Sequence, residues 1–196
     1  MSANGLAPLT ELEAINEVLA TGSESPISTL EDNIVIDASL AMNTLRATSV
    51  EVQTQGWNFN TLESLSITPD QSGEVRLPRN TLRIDTVGES AAMNCVQRGL
   101  RLFNKTDNTY TFTSPVTVDL VEGLDFEDMP SSARMYITIK AARKYQDRYF
   151  GDPNTHSYTI QDELQARAAM MQEELDSTDP NMLTDSQFVR NLLART

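Results

Sequence analysis

At Gly56 the apolar residues stop recurring every three or four positions and begin to alternate with polar ones, and near residue 125 the helical period returns. No other property of the chain narrows the possible folds as much. Helices and strands present side chains with different periods, so one pattern cannot serve as the other. The switch implies helices at both ends and an antiparallel β insertion between them, an α+β order. With 196 residues the chain can bury a core in one domain, or in one domain plus a subdomain.

The first helix is expected to start at Thr10. In Thr10-Glu11-Leu12-Glu13 the hydroxyl can accept from the Glu13 N–H while Glu13 reaches back, a capping box. Leu12, Ile15, Val18 and Leu19 form its apolar stripe, Gly22 ends it, and Ser25-Pro26 breaks the chain into a connector. A second helix is expected from about Asp32 to Gln55. Val35, Ala38, Met42, Leu45 and Val52 lie at helical spacing, with Ile36, Leu40 and Ala47 on an adjoining face.

From Gly56 onward, Trp57/Phe59, Leu65/Ile67, Val75/Leu77, Leu82/Ile84, Leu100/Leu102, Tyr110/Phe112 and Val116/Val118/Leu120 alternate with polar residues. That is the pattern of strands with one wet face. Pro69-Asp70-Gln71-Ser72-Gly73, Pro78-Arg79-Asn80, Gly88 and Lys105-Thr106-Asp107-Asn108 supply the turns.

A third helix is expected between Pro130, which suits a first turn, and a stop at Gly151 and Pro153. Met135, Ile139, Ala142, Tyr145 and Tyr149 share a face that Ile137 and Ala141 widen. The same segment is basic. Arg134, Lys140, Arg143, Lys144 and Arg148 stand against Asp147 alone, in a chain of formal net charge −13. One explanation is internal: Glu11, Glu13, Glu17, Glu24, Glu31, Asp32 and Asp37 precede the first basic residue and offer an acidic counterpart. The other is an acidic partner, either a neighbouring protein or DNA phosphate.

A fourth helix, from about Thr159 to Asp176, carries the stripe Ile160, Leu164, Ala168, Met171 and Leu175, and Asp179-Pro180 ends it. The last segment holds Met182, Leu183, Phe188, Val189, Leu192 and Leu193, more apolar surface than a fraying end needs. The economical architecture is a four-helix bundle with an inserted antiparallel β subdomain and a C-terminal extension. Its divisions fall at 8–56, 57–124, 125–178 and 179–196, with Trp57 and Phe59 as the hinge between bundle and β subdomain.

The search for chemistry finds little. Cys95 is the only cysteine, so neither an intrachain disulfide nor a multi-cysteine metal cluster is available. His156 is the only histidine and falls in the polar stretch Pro153-Asn154-Thr155-His156-Ser157, read as a turn. There is no Gly-rich phosphate loop, His-Glu-x-x-His helix or EF-hand run. Glu127-Asp128 suit the N-terminus of the basic helix as favourable anions. No apolar run approaches the roughly 20 residues of a membrane helix, and Met1-Ser2-Ala3-Asn4-Gly5 lacks the pattern of a signal peptide. No cofactor is expected, and the acidic balance argues against a general nucleic-acid binder.

Several stretches together carry a resemblance. Leu9-Thr10-Glu11-Leu12-Glu13-Ala14-Ile15-Asn16 is followed by Ser25-Pro26-Ile27-Ser28-Thr29-Leu30, and Glu51-Val52-Gln53-Thr54-Gln55-Gly56-Trp57-Asn58-Phe59-Asn60 closes the second helix. Phe126-Glu127-Asp128-Met129-Pro130 then leads to Ala141-Ala142-Arg143-Lys144-Tyr145-Gln146-Asp147-Arg148-Tyr149-Phe150-Gly151. In this order they resemble the tail tubular protein A family of short-tailed bacteriophages, the head-to-tail adaptor or gatekeeper. The resemblance implies a non-enzymatic structural protein of the virion tail, assembled in the host cytoplasm as a ring of twelve. Its implied partners are the portal protein, the tail nozzle protein (tail tubular protein B) and the tail fibre. DNA would pass through the channel without sequence-specific binding, and no membrane is involved. In such a ring Arg134, Lys140, Arg143, Lys144 and Arg148 become candidates for the subunit interface, and Phe188, Leu192 and Leu193 for partner docking. The rival readings are a tail component that cleaves glycan or peptidoglycan through two carboxylates, and a carbohydrate-binding module using Trp57 and Tyr110.

Overall fold

Thr10 caps the first helix, α1 (Glu11–Ala20), in a computed structural model that describes residues 8–30, 35–149, 151 and 153–178. Its N–H donates to Glu13 Oε2 at 2.9 Å and its Oγ1 accepts from the Glu13 N–H at 3.3 Å. The helix buries Ala14, Ile15, Val18 and Leu19. The second helix, α2 (Ile36–Gln53), starts later than its periodicity suggests, and Asp32 lies outside the described residues. Val35, Ile36 and Ala47 are exposed. The buried face is made largely of small residues, Ala38, Ala41, Thr44 and Thr48, around Leu45 and Val52. The expected stripe thus faces inward through Ala38, Leu45 and Val52, with Met42 packed on the same core, while Ala41, Thr44 and Thr48 complete a face that hydrophobicity marks poorly.

Five strands follow: β1 (Thr61–Ile67), β2 (Thr81–Thr86), β3 (Cys95–Arg98), β4 (Arg101–Asn104) and β5 (Val116–Glu122). β5 lies between β1 and β2 in an antiparallel sheet, with Leu65 opposite Val118 and Ile84 opposite Leu120. As the central strand it is the most covered, burying Val116, Val118 and Leu120 against Val75, Leu77, Leu102 and Phe112. β3 and β4 form a separate hairpin. Gly99, at φ +64°, takes the first position of its two-residue turn, where that sign is required. Leu100, expected in a strand, therefore sits in the turn.

Two other expected strand pairs differ. Val75 and Leu77 are buried, as is Phe112, but their segments join neighbours only through isolated bridges, Glu74 to Thr111 and Arg76 to Arg101. Alternation reports which side is buried, not whether a ladder forms. Trp57 and Phe59 lie at a 3₁₀ turn, Asn58–Asn60, rather than in a strand. The Asn60 N–H donates to the Trp57 carbonyl at 3.1 Å, and the Trp57 N–H donates to Asn60 Oδ1 at 2.9 Å, which closes the turn.

The chain then enters α3 (Ser131–Tyr149) and α4 (Pro153–Thr178). Gly151, at φ +62°, returns its N–H to the Gln146 carbonyl at 3.0 Å and ends α3. Pro153 is the first residue of α4 rather than a stop, a position where its missing N–H costs nothing. The fourth helix thus begins before Thr159, and His156 lies within it, not in a turn.

α1, α2 and α3 pack on one another, while α4 packs on α3 with a small contact at the 3₁₀ turn. The buried line of α3 is Ala133, Ile137, Ala141 and Tyr145, at strict four-residue steps, flanked by Tyr136 and Thr138. Met135 and Tyr149, expected on the inner face, are exposed. Helical and β cores meet at a joint of buried amides. Gln53 donates to the Leu124 carbonyl at 3.1 Å and accepts the Leu124 N–H at 2.7 Å. Asn60 donates to the carbonyls of Gln53 and Glu122 at 3.0 and 2.8 Å.

Candidate functional site

The basic residues of α3 were the first candidates, and the structure places four of them in contacts within the chain. Arg134 donates to the carbonyls of Met129 at 2.8 Å, Leu9 at 3.1 Å and Glu127. Glu127 in turn accepts the Glu11 N–H through its carboxylate at 3.1 Å, so it serves the N-terminus of α1 rather than that of α3. Arg134 therefore ties the start of α1 to the entry of α3.

Lys140 and Lys144 both reach Glu51 on α2, Lys140 at 3.0 Å. The hydrogen bond from Lys144, reinforced by Lys140, holds the Glu51 carboxyl below the ordinary glutamate range against the opposing push of burial. Burial pulls Lys140 the other way, but Glu51 and Tyr136 outweigh it and its net shift is upward. Arg143 bonds Glu163 on α4 and Asp147 at 3.1 Å on its own helix. The carboxylates that hold α3 are thus Glu51, Asp147 and Glu163. The described members of the acidic N-terminal set make no ion pair with α3; Glu11 pairs with Arg46 at 2.9 Å. Arg148 is exposed and makes no ion pair among the described residues.

The stripe of α4 has the opposite fate. Leu164 is 62% exposed and Leu175 60%. Ile160, Ala168 and Met171 are exposed with them. The helix turns Met170 and Ala166 inward instead. A second outward face runs along α2, where Ile36 is 77% exposed and Val50 52%, with Asn43 and Ala47 exposed between them and Leu40 half-buried against the helical core.

The other candidates take plain positions. Trp57 and Phe59 pack against the helical core, and Trp57 Nε1 donates to the Val52 carbonyl at 2.8 Å. The amides that complete this junction, Gln53 and Asn60, carry no sequence signal beyond their polarity. Phe188, Leu192 and Leu193 lie outside the described residues. Cys95 starts β3 half-buried, and burial, then Asp107, pushes its thiol up, the reverse of nucleophile activation.

Among the described residues no group of three or more His, Cys, Asp or Glu side chains is placed to hold a metal, and no helix is long and apolar enough to cross a membrane. Among the described residues the carboxylates whose acidity the fold shifts, Glu13, Glu51 and Asp70, are made more acidic. A general acid needs the opposite. An open groove of about 530 Å³ between α2 and the segment after β5 contains Glu11, Asp125 and Glu127. Two of these three carboxylates are already engaged, Glu11 by Arg46 and Glu127 by the α1 N-terminus.

Known proteins are similar to this chain over most of its length. The tail tubular protein family matches residues 12–180, from α1 past the end of α4. Tail tubular protein A of Klebsiella phage KP34 is 28% identical over 168 residues, which cover 85% of this chain and 88% of that protein. The family match takes in both helical ends and the β region between them, and the chain belongs to the tail tubular protein family.

Proposed function

We propose that this chain is a structural component of a phage tail, an adaptor ring of twelve copies that joins the portal to the tail nozzle. In this role it helps retain packaged DNA and attach tail fibres. The observation that carries the reading is the family match over residues 12–180. The described residues add support, because they offer outward apolar faces.

In this reading the basic helix divides its labour. Arg134, Lys140, Arg143 and Lys144 hold α3 within the subunit, and Arg148, exposed and without an ion pair among the described residues, meets an acidic neighbour. Phe188, Leu192 and Leu193 dock on the portal or an adjacent subunit. An acidic channel wall lets DNA slide, since repelled phosphates do not stick.

The test is the mass of the purified full chain in solution, alone and mixed with the portal protein of the same phage. A ring-sized species in either condition is the expected result. A stable monomer that ignores the portal would overturn the adaptor reading.

A further inference from the structure

We propose that the seam between copies is apolar and heterologous: the α4 ridge of one copy packs on the outer face of α2 of the next. This inference rests on the ring reading and names the surfaces that would close the ring. The ridge of α4 comprises Ile160, Leu164, Ala168, Met171 and Leu175, spaced at three and four residues along the side away from Met170. A helix does not keep such a line in water for its own stability, and an exposed apolar stripe of this kind marks a contact surface.

The outer face of α2 is its counterpart. Ile36, Asn43, Ala47 and Val50 are exposed at steps of seven, four and three, with the half-buried Leu40 at their edge, a spacing that presents one seam to a partner helix. At 1.5 Å per residue each ridge is roughly 22–24 Å long, so the two match end to end. Both helices pack on α3, which lies between them. Two different faces carried on separate helices of one subunit are what a head-to-tail contact needs, and a repeated head-to-tail contact closes into a ring.

Charge favours this pairing over a symmetric one. Between Ile160 and Ser177, α4 carries Asp162, Glu163, Glu173, Glu174 and Asp176 against Arg167 alone. Pairing α4 with α4 would bring two such acidic helices together, a repulsive arrangement. Beside the outer face of α2 the Glu51 side chain stays 51% exposed, but its carboxylate is paired with both Lys140 and Lys144 of α3, so this edge carries two cations against one anion. At the opposite edge lies Arg46, whose side chain stays 57% exposed although it is paired with Glu11.

A photo-crosslinking amino acid, p-benzoylphenylalanine, placed at Leu164 of the full chain tests the seam. Oligomer is formed from the chain alone or with portal protein and irradiated, and the band at twice the subunit mass is mapped by peptide mass spectrometry. Crosslinks landing within residues 36–50 of another copy are expected. Crosslinks to α4 or to residues 179–196 of another copy, or an oligomer with no crosslink between copies, would overturn the seam while leaving the ring standing. Failure to form any oligomer in either condition would overturn both. The variant Leu164→Asp gives a second reading: it should lose assembly while keeping the parent's unfolding curve. Assembly at parental yield would count against the seam.

Discussion

α3 and α4 follow one another in the chain, and each shows an apolar stripe at helical spacing, yet they end in opposite situations. α3 is enclosed by α1, α2 and α4, and four of its five basic side chains have partners within the chain. α4 touches α3 along one side and leaves its stripe in solvent. Amphipathic spacing states which residues share a face. It does not state whether that face is buried by the same chain or by another one. Charge has the same ambiguity: the basic run allowed an internal or an external partner, and four of its five side chains have partners within the chain.

The largest effect should come from the centre of α3. Ile137→Ala removes a fully buried side chain and should destabilise the subunit by about 2–5 kcal/mol, read by urea unfolding. Leu164→Ala on α4 is the paired control and should shift the same curve by no more than about 0.5 kcal/mol. Equal losses would erase the contrast between the helices.

Arg134→Met comes next. It leaves the carbonyls of Leu9, Met129 and Glu127 without their donor and should cost about 1–3 kcal/mol. Protection of α1 amides in hydrogen exchange should fall with it, because the start of α1 is tied through this residue. Unchanged α1 protection would show that the tie is idle.

Glu51→Gln is smaller. The Glu51 side chain is half-exposed and solvent screens its two lysine contacts, so the expected loss at neutral pH is below about 1 kcal/mol. Its pH dependence has a definite sign. A carboxyl whose folded pKa is depressed stabilises the fold fully above its unfolded value and loses that contribution as pH falls through the folded one. The parent should therefore exceed the variant above pH 4.5, the ordinary glutamate value, and converge on it in acid. A gap that widens in acid would contradict the assignment.

Much of the local structure was legible from residue types. The Thr10–Glu13 box, the Gly151 stop and the alternation around β5 each have a single good structural solution. Three things were not. Part of the inner face of α2, at Ala41, Thr44 and Thr48, carries little hydrophobic signal. The joint between helices and sheet depends on Gln53 and Asn60, polar residues that become informative only when seen bonded to carbonyls far along the chain. The inward side of α4 is set by Met170 and Ala166, a minor line beside the stronger outward one. A reading that buries the strongest stripe picks the wrong side when the subunit is one piece of a larger assembly. The candidate site shared this fate: the residues were visible, and their direction was not.

The most direct measurement is sedimentation mass of the double variant Leu164→Asp/Leu175→Asp beside the parent, each with and without portal protein. The account predicts a variant that unfolds like the parent but does not reach the mass of the ring. A variant that assembles to the parental mass would contradict it, and would return the seam to the basic face of α3.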